Sequence, residues 1–136
     1  MAHETVLDFV RANPRAVLAT YRRDGQAQLS PVSATVDAED RVVISTREGA
    51  MKTHNLRRTP RAALCVISPQ FFGEWHSLEG SVEILSLPEA MEPLVDYYRR
   101  ISGEHPDWND YRDAMVRERR VLVRITVDRS GPTAQG

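Results

Sequence analysis

The chain contains very little lysine and cysteine. Of its 18 basic residues, Lys52 is the only lysine, and the others are all arginine. Cys65 is the only cysteine, so no disulfide can form within the chain, and we expect a protein of the reducing cytoplasm. Because Cys65 lies in the apolar run AALCVI, we expect it to be an inert core residue rather than a nucleophile.

Long apolar runs and an excess of charge are also lacking. No run approaches the ~20 residues of a membrane-spanning helix, and the segment MAHETVLDFV has no basic region followed by an apolar one. We therefore expect neither a membrane partner nor a secretory signal. The formal net charge is −1, with 18 basic and 19 acidic residues. This balance argues against nucleic-acid binding, which needs a basic face.

The 136 residues have the size of one domain, which we take as residues 1–136. Alternating apolar segments separated by turn residues predict strands near residues 16–21, 27–36, 41–46, 62–68, 74–85 and 121–127. Asp24-Gly25 is a strong hairpin signal, a second turn falls at Asp37–Asp40, and Gly80 predicts a bulge in the fifth strand.

Helical spacing predicts one helix before the first strand, a short one after the third, and a helical excursion between the fifth and sixth strands. This order favours a mainly β fold, a closed or partly closed antiparallel barrel with flanking helices. No strand–helix unit carries a G-x-G-x-x-G turn, which argues against a doubly wound nucleotide-binding fold. We expect the small, polar tail from residue 128 to fray.

The segment STREGAMKTHNLRR, which contains the single lysine, has the features of an anion site. Ser45 and Thr46 end a predicted strand just before a predicted helix, whose first N–H groups and dipole attract negative charge. Lys52 and Asn55 share one face of that helix. Together these groups can hold a phosphate or a developing oxyanion. The alternative is an ordinary helix cap followed by a surface lysine.

The sequence resembles one protein family over nearly its whole length, from about Val17 to Ile125. STREGAMKTHNLRRTPRAALCVI resembles the cofactor segment of the flavin and deazaflavin oxidoreductases with the pyridoxamine 5'-phosphate oxidase-like split barrel, and VLATYRRDGQAQLSPV resembles their first hairpin. ISGEHPDWNDYRDAMVRERRVLVRI is similar to the C-terminal segment of the actinobacterial branch that binds coenzyme F420.

The resemblance implies a six-stranded antiparallel split β-barrel that forms a homodimer, with two cofactor sites at the subunit interface. It implies that the phosphate end of the cofactor is held by Ser45, Thr46, Lys52 and Asn55. The residues that it nominates for the ring are Gln28, Ser30 and Pro31 on the second strand, together with Trp75 of the partner subunit.

Two positions depart from the family pattern. Ala50 stands where related sequences often carry arginine, and His54 stands where some have arginine. Arg47, or the pair Arg57 and Arg58, can compensate for the missing charge. The departure leaves the choice between F420 and FMN open.

No side-chain pattern for acid–base, nucleophilic or metal chemistry is present. His3, His54, His76 and His105 lack metal-ligand spacing, so we expect no metal, a surface role for His76 and a loop-fixing role for His105. No catalytic side chain is predicted, since a flavin-type cofactor carries the chemistry itself.

We therefore expect an F420-dependent oxidoreductase that transfers hydride between reduced F420 and a small conjugated substrate. An FMN-dependent oxidase or reductase and a non-catalytic cofactor carrier are the alternatives.

Overall fold

The computed structural model describes residues 3–133, which form six strands and four helices. Their order is α1 (Glu4–Ala12), β1 (Arg15–Tyr21), β2 (Ala27–Val36), β3 (Val42–Arg47), α2 (Met51–Arg58), β4 (Arg61–Ile67), β5 (Trp75–Leu85), α3 (Met91–Ser102), α4 (Trp108–Arg117) and β6 (Arg120–Thr133). The strands close into an antiparallel barrel in the order β1-β2-β3-β6-β5-β4. The predicted fold class and order of elements are confirmed.

The two predicted turns between the first three strands are present and are fixed by aspartate side chains. Gly25 has a φ of 84°, and the Asp24 carboxylate accepts the backbone N–H of Gln26 at 3.0 Å. At the second turn, one oxygen of Asp37 accepts two backbone N–H groups at 2.9 Å, and Asp40 has a φ of 60°. These local bonds set the register of both hairpins.

The interior of the barrel is filled by the inward-facing residues of all six strands and closed by two helices. Val6, Leu7 and Val10 of α1 pack into this core, and Leu56 of α2 packs into it as well. Because alternate residues of a strand face opposite sides, the remaining strand residues lie on the outside of the barrel.

A second apolar cluster lies outside the barrel, where α3 and α4 cover β3 and β6. Its buried members are Val43, Ala90, Leu94, Val95, Tyr111, Met115 and Leu122. This layer holds the two helices at a fixed position beside the end of β3. None of the helices in residues 3–133 is long and apolar enough to cross a membrane.

The expectation that Cys65 is a core residue is wrong. Its neighbours Leu64 and Val66 point into the barrel, so Cys65 points outwards and is half-buried near Phe71 and Trp75. Partial burial raises the pKa of the Cys65 thiol. A raised pKa keeps the thiol protonated, which disfavours a role as a nucleophile.

The expectation that the chain frays from residue 128 is also wrong as far as Thr133. β6 continues to that residue and pairs with the first half of β5. Asp128 forms an ion pair with Arg61 at 2.7 Å, and the Ser77 hydroxyl donates to the carbonyl of Pro132 at 2.6 Å. The small polar residues 128–133 are therefore held by their pairing with β5 and by these side-chain contacts. Residues 134–136 lie outside the described part of the chain.

Gly80 lies at an irregularity in the β5–β6 ladder, as the sequence predicts. The register shifts between Glu79 and Gly80, and a Cβ atom at Gly80 would lie 2.1 Å from the carbonyl oxygen of Thr126. The two strands can approach this closely only because residue 80 has no side chain.

Gly80→Ala should therefore destabilise the protein by about 3 kcal/mol or more, because the clash is with backbone that cannot rotate away. Gly49→Ala is the matched control, since a Cβ at Gly49 meets no atom within 4 Å. It should change the free energy of unfolding by less than about 0.5 kcal/mol. Urea unfolding measures both variants, and equal midpoints would contradict the close approach.

Candidate functional site

A cavity in the described chain lies between the barrel, the start of α2, and the helices α3 and α4. Its volume is about 660 Å³. The residues that line it are Pro31, Val32, Ser33, Ser45, Thr46, Arg47, Ala50, Lys52, Tyr97, Tyr98, His105, Asp110, Tyr111, Ala114, Met115, Glu118 and Arg120. A cavity of this size accommodates a cofactor-sized molecule.

The N-terminus of α2 opens onto this cavity without a side-chain cap. A tight turn joins β3 to α2, in which the Ala50 N–H and the Thr53 hydroxyl both donate to the carbonyl of Arg47, at 3.1 and 2.6 Å. Ala50 is the N-cap residue and makes no side-chain capping bond. The first N–H groups of the helix therefore remain available to an anion, and the helix dipole adds partial positive charge.

Lys52 lies in the first turn of α2 and lines the same cavity. Within residues 3–133 its ammonium group has no hydrogen-bond or ion-pair partner. The nearby carboxylate of Glu48 is held by Arg57, with hydrogen bonds of 2.7 and 2.9 Å. These hydrogen bonds lower the pKa of Glu48. The charge of Glu48 is thus neutralised by Arg57, which leaves Lys52 free to bind a ligand.

Two arginines lie side by side at the edge of the cavity. Arg47 of β3 and Arg120 of β6 are directly opposite in the ladder, a pairing of like charges that is unfavourable by itself. Glu118 bridges them, at 2.9 Å from Arg120 and 3.5 Å from Arg47. The hydrogen bond from Arg120 holds the pKa of Glu118 below its ordinary value. The Arg47 side chain remains 61% exposed and can still contact an anion.

Aromatic residues form the opposite wall. The Tyr97 hydroxyl donates to the carbonyl of Ser33 at 2.8 Å, which connects α3 to β2. The Tyr111 hydroxyl donates to the carbonyl of Leu94 at 2.8 Å, and burial raises the pKa of Tyr111 to about 12. Tyr111 is therefore protonated at neutral pH. The cavity thus has cations at one end and a flat aromatic wall along one side.

The structure brings together five of the nine residues that the sequence nominated for cofactor binding. Pro31, Ser45, Thr46, Arg47 and Lys52 all line the cavity. Of the others, Gln28 and Ser30 alternate with Pro31 on β2 and point into the barrel. Among the described residues, the Ser30 hydroxyl is the one buried side-chain polar atom without a hydrogen-bond partner. A contact of Gln28 or Ser30 with the cofactor ring stays a prediction.

Trp75 lies on a different side of the barrel from the cavity of its own subunit. It stands beside Phe71 and Phe72, which are 72% and 96% exposed. The sequence assigned Trp75 to the site of a partner subunit, and the single chain leaves that prediction open.

Asn55 serves to dock α2 on the barrel. Its amide nitrogen donates to the Thr20 hydroxyl at 3.1 Å and to Gln28 Oε1 at 2.7 Å, and its oxygen accepts from Arg58 at 2.9 Å. The side chain is 2% exposed. Although Lys52 and Asn55 are one helical turn apart, Asn55 points into the barrel and does not line the cavity.

Sequence reasoning missed most of the aromatic wall and the bridge between the two arginines. Tyr97, Tyr98 and Tyr111 reach the cavity because α3 and α4 fold back over β3 and β6. The segment GEHPDWNDYR, on which the resemblance to one branch of a family rested, was the available signal. His105 fixes its loop as expected, because Nδ1 accepts the Asp107 N–H at 2.9 Å, but it also lines the cavity.

Comparisons with known proteins agree with this geometry. This chain is similar to a conserved hypothetical protein, Rv2991, from Mycobacterium tuberculosis, whose crystal structure is known. The two sequences are 30% identical, the match covers 96% of this chain and 82% of the Rv2991 chain, and the TM-score is 0.77. An F420 reductase is 21% identical, with 96% and 97% coverage and a TM-score of 0.68. A nimC/nimA family protein from Clostridium acetobutylicum is 16% identical, with 93% and 83% coverage and a TM-score of 0.66.

The closed six-stranded antiparallel barrel is the fold that this chain shares with these solved structures. Residues 2–133 match the family described as pyridoxamine 5'-phosphate oxidase. The chain belongs to that family.

Asn55→Ala should destabilise the protein by roughly 1–3 kcal/mol, because it leaves buried polar groups on β1 and β2 without their partner. His54→Ala, at an exposed position of the same helix, is the control and should have almost no effect. Thermal unfolding of both variants measures the difference. If Asn55→Ala unfolds like the wild type, the amide does not hold α2 in place.

Proposed function

We propose that this protein is an F420-dependent reductase that transfers hydride from reduced F420 to a small conjugated organic substrate. The observation that carries the proposal is the unpaired Lys52 beside the uncapped N-terminus of α2, at one end of a cavity with an aromatic wall. The residues present fit a cofactor that joins an anionic end to a flat ring system.

In this arrangement the chain's own residues bind and orient the cofactor. Lys52, Arg47 and the Ser45 hydroxyl hold the phosphate together with the first N–H groups of α2. Pro31 supports the ring along the outside of β2. When bound, the deazaflavin ring supplies the hydride from its C5 carbon. The substrate occupies the remaining space against the aromatic wall. The reducing cytoplasm is the compartment that suits the cofactor and the substrate.

FMN is the alternative cofactor, because Ala50 stands where related sequences often carry arginine and His54 stands where some of them do, so this chain has less positive charge for an anionic tail. Arg57 and Arg58 do not replace that charge in the cavity, because they are bound to Glu48 and Asn55. The second alternative is a carrier that binds the cofactor without turnover. Fluorescence titration with F420 and FMN decides between the cofactors, and assays with electron acceptors separate an enzyme from a carrier.

We further infer that the functional unit is a homodimer. The outward residues of β1 and β4 form an apolar surface, which we call the outer apolar face; it comprises Val17, Ala19, Ala63, Cys65 and Ile67, with Phe71, Phe72 and Trp75 beside it. Large exposed apolar patches mark interaction surfaces. Pro31, the neighbour of Val17 across the β1–β2 ladder, also lines the cavity. A second subunit on this face would therefore lie at the edge of the site.

Phe72→Arg should convert the dimer to a monomer, because it places a charge among the most exposed aromatic residues of the outer apolar face. Val116→Arg is the matched control, since Val116 of α4 is also an exposed apolar residue, at 59%. It should leave the dimer intact. Light scattering at micromolar concentration measures the mass of both. A wild-type monomer would contradict the proposed dimer.

Lys52→Ala should weaken F420 binding about ten- to a hundredfold in Kd, because it removes a charge-assisted bond to the phosphate. Arg117→Ala is the control for a change in net charge, because Arg117 is exposed at the end of α4 and outside the cavity. That variant should lose less than about 1 kcal/mol of binding energy. Arg58→Ala is a poorer control, because Arg58 also supports Asn55.

Fluorescence titration of both variants gives the result. Equal Kd values for Lys52→Ala and the wild type would show that Lys52 is a surface residue and that the phosphate binds elsewhere.

A further inference from the structure

The loop between α3 and α4 carries a histidine beside the cavity, and one of its ring nitrogens is unused. His105 lies in this loop, lines the cavity, and packs against the rings of Tyr98, Trp108 and Tyr111, with centroid distances of 5.1, 5.7 and 5.6 Å. Its role in fixing the loop uses only one of the two ring nitrogens. The other nitrogen has no role in the proposed cofactor site.

The tautomer of His105 follows from its one hydrogen bond. The backbone N–H of Asp107 donates to Nδ1 at 2.9 Å, so Nδ1 must present its lone pair. In the neutral ring, the proton is then on Nε2, which is a donor. Nε2 has no hydrogen-bond partner in residues 3–133. The His105 ring is half-buried, and Nε2 is accessible from outside the protein.

The loop is braced, so the donor is held in place before a ligand arrives. The Asp107 carboxylate accepts the Asp110 N–H at 3.1 Å and caps α4. The indole N–H of Trp108 donates to Glu104 at 2.9 Å, and the Arg99 guanidinium lies 4.7 Å from the centre of the Trp108 ring. Fixed donors stabilise developing charge better than mobile ones, because they need no reorganisation.

We propose that His105 Nε2–H donates a hydrogen bond to the carbonyl oxygen of a conjugated ketone, the substrate class of the reductase; this rests on the proposed function. Hydride adds to the β-carbon, and the electrons of the double bond move onto the carbonyl oxygen. His105 stabilises that negative charge as a neutral donor and keeps its own proton. Water supplies a proton to the α-carbon, so a saturated ketone and the oxidised cofactor are the products.

Two substitutions separate the donor from the loop-fixing acceptor. His105→Gln places an amide N–H near the position of Nε2, whereas His105→Asn places an amide oxygen near Nδ1, where it can still accept the Asp107 N–H. The probe is 4-nitrophenolate, a flat aromatic oxyanion that resembles the charged intermediate. It is added to the purified protein without cofactor but with excess inorganic phosphate, which competes for the anion site at Lys52. Its absorbance change on binding gives the Kd.

We expect His105→Gln to bind the probe within about threefold of the wild type and His105→Asn to bind it about tenfold more weakly, as for the loss of one charge-assisted hydrogen bond. The opposite order would show that His105 only fixes the loop and would overturn the proposal. Absence of probe binding by the wild type would overturn it as well.

Nitrogen NMR of the wild-type imidazole is an independent measurement if a variant does not fold. It should show the Nε2–H tautomer, and its Nε2 resonance should shift when the probe is added; the Nδ1–H tautomer or an unchanged Nε2 would overturn the proposal. Both variants should retain the wild-type Kd for F420. A wild type that binds neither F420 nor FMN contradicts the proposed function, whatever the probe shows.

Discussion

The pairing of β3 with β6 is the contact on which the candidate site depends. It closes the barrel between strands that are far apart in the sequence, and its outer surface carries the apolar cluster that holds α3 and α4. The same pairing brings Arg47 next to Arg120 and requires a carboxylate between them, which Glu118 provides at the end of α4. Fold closure and the charge of the cavity are thus determined by one ladder.

Electrostatic pairing around the cavity is selective. Glu48, Arg57, Arg58 and Glu118 are engaged by other protein groups, whereas Lys52 is left without a partner in the described chain. Lys52 is partly exposed at the cavity, so its charge can reach a ligand, whereas the paired arginines are already engaged by other protein groups. The aromatic wall adds the opposite property, a flat surface with few polar groups. A ligand with a flat ring and an anionic tail would match both the free cation and the aromatic wall.

The sequence predicted the elements better than it predicted the contacts. Turn residues such as Asp24, Asp37 and Gly80 act locally, so the hairpins and the bulge could be inferred from short segments. The direction of a side chain on a short element is set by what packs against it. Asn55 therefore could not be placed from helical spacing alone, and Cys65 in an apolar run turned out to face outwards. The tyrosines of α3 and α4 could be assigned to the cavity only after the long-range pairing was known.

The single lysine has a practical consequence. Lys52 supplies the only side-chain amine of the chain, and this amine lies in the cavity. An amine-directed reagent therefore has one side-chain target, apart from the terminal α-amino group, and that target is the residue proposed to hold the phosphate. The rate of its acylation would report how much of the cavity is occupied, without a dye, a tag or a substitution.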